Sequence, residues 1–159
     1  MNIRIVVADE RKAAFFDVSR PETGLADRGS LENPAAGLKD SDLETDRPGR
    51  RYGGPTGAAP GRGGPPAHHH GVGGERSTER HELMLFAKNV GQRIEADRVK
   101  HEFDKLVLVA PPKMLGLIRQ ALPSAAQSML VNEVAKDLLH RGNAAILNAV
   151  PRDAFARIH

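Results

Sequence analysis

The feature that most limits what this chain can fold into is its middle segment, residues 33–76. The segment holds most of the chain's 16 glycines, and neither a helical nor a strand period persists through it. Loops longer than about 12–15 residues without structure of their own are uncommon in compact domains, and are functional or disordered. We therefore expect one domain over residues 1–159, with its core in the two flanking parts and a loop at 33–76 that is mobile when unbound.

The N-terminal flank predicts three strands. Residues 3–8 are rich in β-branched side chains, and a short charged stretch separates them from a second apolar run at residues 13–19, so the two runs form a hairpin. A third strand over residues 25–32 ends at Asn33, because a residue before proline is pushed out of the helical region. Three antiparallel strands therefore open the fold.

The C-terminal flank predicts alternating helices and strands. Apolar residues recur at spacings of three and four over residues 77–100, which is typical of an amphipathic helix. The unbroken apolar run at 106–110 predicts a strand of a parallel region, covered on both faces. A helix opened by Pro111 and Pro112, a strand at 129–136 and a helix at 143–150 complete the chain. The order β-β-β-α-β-α-β-α predicts an α/β fold, a mixed sheet with helices packed on it.

Charge is unevenly placed along the chain, although the formal net charge is only +3. No acidic residue occurs between Asp46 and Glu75, whereas four arginines do: Arg47, Arg50, Arg51 and Arg62. Attraction to polyanions should concentrate in this basic segment, residues 47–74. The alternative is an ordinary solvated loop.

Composition excludes several classes of site. The chain has no cysteine, and so can form no disulfide, thiolate zinc site, iron–sulfur cluster or cysteine nucleophile. Its opening apolar run lacks a cleavage pattern, and no apolar stretch approaches the roughly 20 residues that span a bilayer. We expect a cytoplasmic protein without a membrane span.

Five fragments, in order, carry a resemblance to a known family: residues 5–9 (IVVAD), 32–34 (ENP), 46–50 (DRPGR), 106–116, and 136–138 (KDL). On these fragments the chain resembles the bacterial host-attachment family, the proteins required for attachment to host cells. That family is similar in turn to the middle domain of archaeal and eukaryotic release factors and of Pelota. The resemblance implies an RNase H-like, release-factor middle-domain-like mixed sheet.

In release factors a Gly-Gly-Gln loop ahead of a long helix promotes peptidyl-tRNA hydrolysis. Here Gly61, Gly63 and Gly64 occupy a similar place ahead of the helix at 77–100, but prolines follow Gly64 and the glutamine is absent. The resemblance thus implies RNA docking without that hydrolysis, because arginine suits phosphate contacts and glycine allows close backbone approach.

Two further sets of residues suggest metal chemistry. His68, His69 and His70 could hold a metal, but adjacent histidines lack the spacing of a built site, so we predict neither metal nor cofactor. Asp9, Asp17 and Asp137 could form the carboxylate cluster of a two-metal, RNase H-like nuclease. Asp9 and Asp137 could equally belong to turns.

The sequence therefore favours a binding protein over an enzyme. The first hypothesis is a host-attachment family protein that contacts RNA or ribosomes through Arg47, Arg50, Arg51, Arg62, Gly61, Gly63 and Gly64. The second is a protein-interaction or regulatory factor that affects adhesion indirectly. The third is a metal-dependent hydrolase.

Overall fold

The computed structural model describes residues 1–36 and 71–156, with side chains in the second range from residue 78 onward. The chain divides into two compact units. The first comprises Met1–Asn33 and Leu83–His159, and the second comprises Pro34–Glu82. All five strands belong to the first unit, and the described residues of the second are 34–36 and the start of a long helix.

A five-stranded sheet forms the first unit. Its strands are β1 (Ile3–Ala8), β2 (Lys12–Val18), β3 (Ala26–Glu32), β4 (Lys105–Val109) and β5 (Leu130–Val134). Their order across the sheet is β3-β2-β1-β4-β5. β1 pairs antiparallel with β2, and β2 with β3, whereas β4 lies parallel to both β1 and β5. The predicted mixed sheet, opened by three antiparallel strands, is confirmed.

Besides a helical segment at residues 34–36, the described residues include four helices that connect or flank the strands. They are α1 (Gly71–Val99), α2 (Pro112–Ala121), the single turn α3 (Ser124–Gln127) and α4 (Asn143–Ala149), and two 3-10 turns lie at Pro21–Thr23 and Arg152–Phe155. The predicted elements occur in the predicted order, and apart from the start of α1 their ends shift by one or two residues.

Two details of the helices differ from prediction. α1 begins at Gly71 rather than at residue 77, so residues 71–76, which were assigned to the loop, are helical. Adding residues to an existing helix costs less than nucleating one, so even poor helix formers can extend it. The prediction also missed α3, which follows Pro123 and is too short to show a hydrophobic period.

The sheet is covered on both faces, as the apolar run of β4 predicts. Leu106 and Leu108 face a core that includes residues of α1 and α2. Val107 and Val109 face a second core that includes residues of α4 and of the C-terminal 3-10 turn. Lys105 Nζ fixes that turn by donating to the carbonyls of Ala154, at 2.9 Å, and Ala156.

The crossing of α1 and α2 explains the glycine inside α1. A Cβ atom added at Gly91 would lie 2.9 Å from the Ala121 carbonyl oxygen, closer than real Cβ contacts. Gly91 lowers helix propensity but lets the two backbones meet.

Candidate functional site

The predicted RNA-contact residues lie outside the described part of the chain. They are Arg47, Arg50, Arg51, Arg62, Gly61, Gly63 and Gly64. The histidine run 68–70 and the expected mobility of residues 37–70 fall there too. These remain predictions.

The most concentrated charge in the described structure surrounds Arg4. Arg4 has no exposed surface, and it lies in β1 directly opposite Asp17 of β2. Its Nε donates to Asp17 Oδ1, and its Nη1 donates to Asp97 Oδ2 near the end of α1, each at 2.5 Å. The guanidinium carbon lies 5.3 Å from the centre of the Phe103 ring. Arg4 thus ties two strands and the C-terminal turn of α1 together.

Three more charged residues complete an arginine cluster around this centre. Arg28 of β3 lies 3.3 Å from Asp17 Oδ2, and its Nη2 donates to Glu102 Oε1 at 3.2 Å. Arg93 Nε donates to Asp97 Oδ2 at 2.9 Å, while its guanidinium stacks 4.5 Å from the centre of the Phe15 ring. The cluster of Arg4, Arg28, Arg93, Asp17, Asp97 and Glu102 balances three cations with three carboxylates.

Hydrogen bonds shift the pKa values of Asp97 and Arg4 toward their charged forms. Burial of Asp97 alone would raise its pKa, but hydrogen bonds from Arg4 and Arg93 outweigh burial and hold the pKa below its usual value. Burial likewise works against the charge on Arg4, but hydrogen bonds with Asp17 and Asp97 leave its pKa raised. Groups ionised so firmly do not exchange protons near neutral pH. The cluster is therefore a clamp between helix and sheet rather than an acid–base centre.

The three aspartates of the nuclease hypothesis take separate roles. Asp9 forms the β1–β2 turn, where its Oδ1 accepts hydrogen bonds from the backbone N–H groups of Arg11, at 2.8 Å, and Lys12, at 2.9 Å. Asp17 belongs to the arginine cluster, and Asp137 is exposed after β5. Within residues 1–36 and 71–156, no three His, Asp or Glu side chains gather closely enough to hold a metal. The positions of these carboxylates give the nuclease hypothesis no support.

The carboxyl ends of the parallel strands are where ligands bind in many open α/β sheets. Pro111 precedes α2 there, and its carbonyl accepts the Leu115 N–H at 2.9 Å, so the two prolines act as a helix start. His140 Nε2 lies 3.7 Å from Asp9 Oδ2 and is largely exposed. This contact is longer than a hydrogen bond.

Sequence reasoning missed the arginine cluster. Arg4 stands between Ile3 and Ile5, where the apolar run identified a strand but not a buried cation. Folding the predicted hairpin about the centre of its charged turn, between Glu10 and Arg11, would have placed Arg4 opposite Asp17, which is the available signal. The contributions of Asp97 and Glu102 depend on how α1 packs, which the sequence pattern does not reveal.

Comparisons with known proteins now supplement this geometry. Within the part of the chain that the structure describes, no helix is long and apolar enough to cross a membrane. An uncharacterized protein of Rickettsia prowazekii (strain Madrid E), RP470, is 39% identical over 55 residues, 35% of this chain and 34% of that protein. A solved structure described as "Archaeal protein" aligns with 93% of this chain and 36% of its own length, at 9% identity and a TM-score of 0.42.

The chain thus spans about a third of the length of each of these two proteins. A family model described as "Protein required for attachment to host cells" matches residues 4–150, which takes in the five described strands except Ile3, the first residue of β1. The fragments that carried the resemblance lie within this match. The chain therefore belongs to the host-attachment family.

Proposed function

We propose that this host-attachment family protein binds RNA or ribosomes, without catalysis, through its basic segment. The observation that carries the proposal is the absence of any acidic residue between Asp46 and Glu75, where four arginines stand. A segment with four positive charges and no internal counter-charge attracts phosphate groups. The remainder of the chain, at +3 less +4, carries a formal charge of about −1 and has no such excess.

The arginines of the described structure support this assignment by contrast. Five of them form ion pairs with carboxylates: Arg4, Arg28, Arg93, Arg98 and Arg119. A phosphate would have to displace a carboxylate from each of these. Residues 105–132 also lack an acidic residue, but Lys105 is buried there and Arg119 pairs with Glu133. The basic segment, with four arginines, is therefore the better candidate phosphate ligand.

The residue types of the segment fit binding rather than bond cleavage. A guanidinium offers a planar set of donors that matches phosphate oxygens, and Gly61, Gly63 and Gly64 impose no side chain on a close approach. Pro65 follows Gly64 where a release factor has its glutamine. The proposal is therefore docking onto RNA, with no peptidyl-tRNA hydrolysis.

Co-sedimentation with ribosomal subunits from the source cells tests the proposal. The full-length protein should sediment with a ribosomal fraction at low salt and leave it as salt rises, because phosphate contacts release counterions. A ribosome-free lysate at the same salt controls for aggregation. Absence from every ribosomal fraction at low salt would contradict the proposal and favour a protein-interaction factor that affects adhesion indirectly.

A further inference from the structure

Within the described residues, β5 forms one edge of the sheet and borders a groove. β5 pairs with β4 on one side and ends the strand order on the other, so its outer backbone groups face away from the described sheet. The groove has a volume of about 340 Å³ and is lined by Arg119, Gln127, Leu130, Val131, Asn132 and Glu133. That volume lies within the range of ligand-binding clefts.

The opposite edge, β3, has the features that protect edge strands from new pairing. Asp27, Arg28 and Glu32 give it charge, Gly29 has a φ of +99°, and its pairing register with β2 is irregular. β5 has a register shift as well, at Val131, but Glu133 is its one charged residue, and the side chain of Val131 remains 41% exposed. Of the two edges, β5 is the less protected.

The polar groups of the groove retain hydrogen-bonding capacity. Gln127 Nε2 donates to the carbonyls of Arg119, at 3.1 Å, and Leu122, at 3.0 Å, which leaves its Oε1 as an acceptor. The side-chain amide of Asn132 has no hydrogen-bond partner among the described residues and is only partly exposed. An amide supplies both a donor and an acceptor, and so it can pair with one peptide group of a ligand.

Charge identifies the kind of ligand. Arg119 Nη1 donates to Glu133 Oε1 at 2.6 Å, so the two charges of the groove neutralise each other. A polyanion gains little there, whereas an uncharged chain can cover Leu130 and Val131 while its amides pair with the edge. We propose that the β5 edge binds an extended, uncharged peptide segment of a partner protein, which adds to the sheet as a sixth strand. This inference does not depend on the RNA proposal.

A random-sequence dodecapeptide library, displayed on phage and selected against the full-length protein, supplies the probe. A peptide that it enriches is synthesised and then N-methylated at one residue at a time. Successive amides of a strand point in opposite directions, so methylation at every second residue should weaken binding about tenfold or more, and methylation between them should be tolerated. Equal effects at all positions, or no enriched peptide, would overturn the proposal.

A pair of variants locates the site. Asn132→Ala should weaken binding of the peptide about tenfold through loss of paired hydrogen bonds, whereas Ser30→Ala on the exposed β3 edge should leave it unchanged. Backbone amide shifts at Val131, Asn132 and Glu133 should follow peptide addition. Shifts elsewhere, or equal affinities of the two variants, would contradict the assignment.

Two controls distinguish peptide binding from RNA binding and from self-association of the chain. Peptide affinity should change less than about twofold between about 50 and 500 mM salt, while RNA binding weakens steeply, so one proposal can fail without the other. Amide shifts at 131–133 that depend on protein concentration, with no peptide present, would instead show that a second copy of the chain occupies the edge.

Discussion

Arg4 lies among carboxylates, whereas the basic segment carries four arginines and no acidic residue in its sequence. Arg4 has no exposed surface and donates to two carboxylates, one from β2 and one from α1. Arg47 opens a segment in which the next acidic residue is Glu75. The number of arginines therefore says little about polyanion binding, because a guanidinium already paired with buried carboxylates, as in Arg4, holds the fold.

Removing the buried guanidinium of Arg4 should have the largest effect on the free energy of unfolding. Arg4→Met leaves Asp17 and Asp97 with less compensation inside the protein, which should lower the free energy of unfolding by about 3–5 kcal/mol. Urea denaturation at neutral pH measures the change. Arg98→Met, which breaks the more exposed pair with Glu95 on the same helix, is the matched control and should cost much less.

A triple variant sharpens the result. Replacing Asp17 and Asp97 by leucine in the Arg4→Met background removes the two buried carboxylates that lost Arg4. Arg28 keeps its hydrogen bond to Glu102 and Arg93 is partly exposed to water, so much of the lost stability should be recovered. Equal losses for Arg4→Met and Arg98→Met, with two-state unfolding in both, would contradict the account of the cluster as a buried clamp.

Acid should weaken the same clamp by a smaller amount. The pKa of Asp97 is held below its usual value of about 3.9, so its contribution is complete above that value and is lost as pH falls through the lower, folded-state pKa. The unfolding free energy of Asp97→Asn should therefore decline less than that of the parent protein from about pH 5 downward.

A comparison along α1 tests this assignment. Hydrogen bonds from Arg98 also lower the pKa of Glu95, but that carboxylate is more exposed than Asp97 and salt screens its ion pair. Glu95→Gln should change the acid limb less than Asp97→Asn does. If the unfolding free energies of Asp97→Asn and the parent fall in parallel as pH is lowered, protonation of Asp97 is not what weakens the arginine cluster in acid.

Substitutions in the basic segment should have the smallest effect on stability. Replacing Arg47, Arg50, Arg51 and Arg62 by glutamine should change the unfolding free energy by no more than about 0.5 kcal/mol for each substitution, because the segment's composition offers little apolar surface to a core. Thermal and urea denaturation measure this. A loss as large as that of Arg4→Met would place these arginines among structural residues.

Hydrophobic periodicity and the positions of prolines predicted most of the fold. Some burial patterns can be recognised within a single strand or helix. They are the β-branched run of β1, the apolar run of β4, and the spacing of three and four residues in α1 between Leu83, Phe86 and Val90. Proline at 111 and 112 located the start of α2 because its missing N–H costs nothing there.

The features that sequence reasoning missed depend on contacts between elements. Arg4 is acceptable in a core only because Asp17 and Asp97 reach it from other elements, and Gly91 is explained only by the approach of Ala121 from α2. The pairing of β1 with β2 predicts that Asp17 lies opposite Arg4, whereas no local sequence pattern predicts the contacts of Asp97 and Ala121. The candidate RNA site has the opposite character, since it is argued from the charge of one continuous segment.

RNA affinity as a function of salt concentration tests whether the basic segment contacts RNA, with single-stranded homopolymer RNA and three forms of the protein. The forms are the parent, the fourfold basic-segment variant (Arg47, Arg50, Arg51 and Arg62 to Gln), and a control in which four exposed arginines, Arg20, Arg80, Arg141 and Arg152, become Gln. The two variants lose equal charge. Each phosphate contact contributes roughly 0.7 to the slope of log K against log salt, so the basic-segment variant should bind more weakly and lose up to about 3 of the slope. The control should keep most of both. If the basic-segment variant binds with the parent's affinity and slope, or the control loses as much, the basic segment is not the RNA contact.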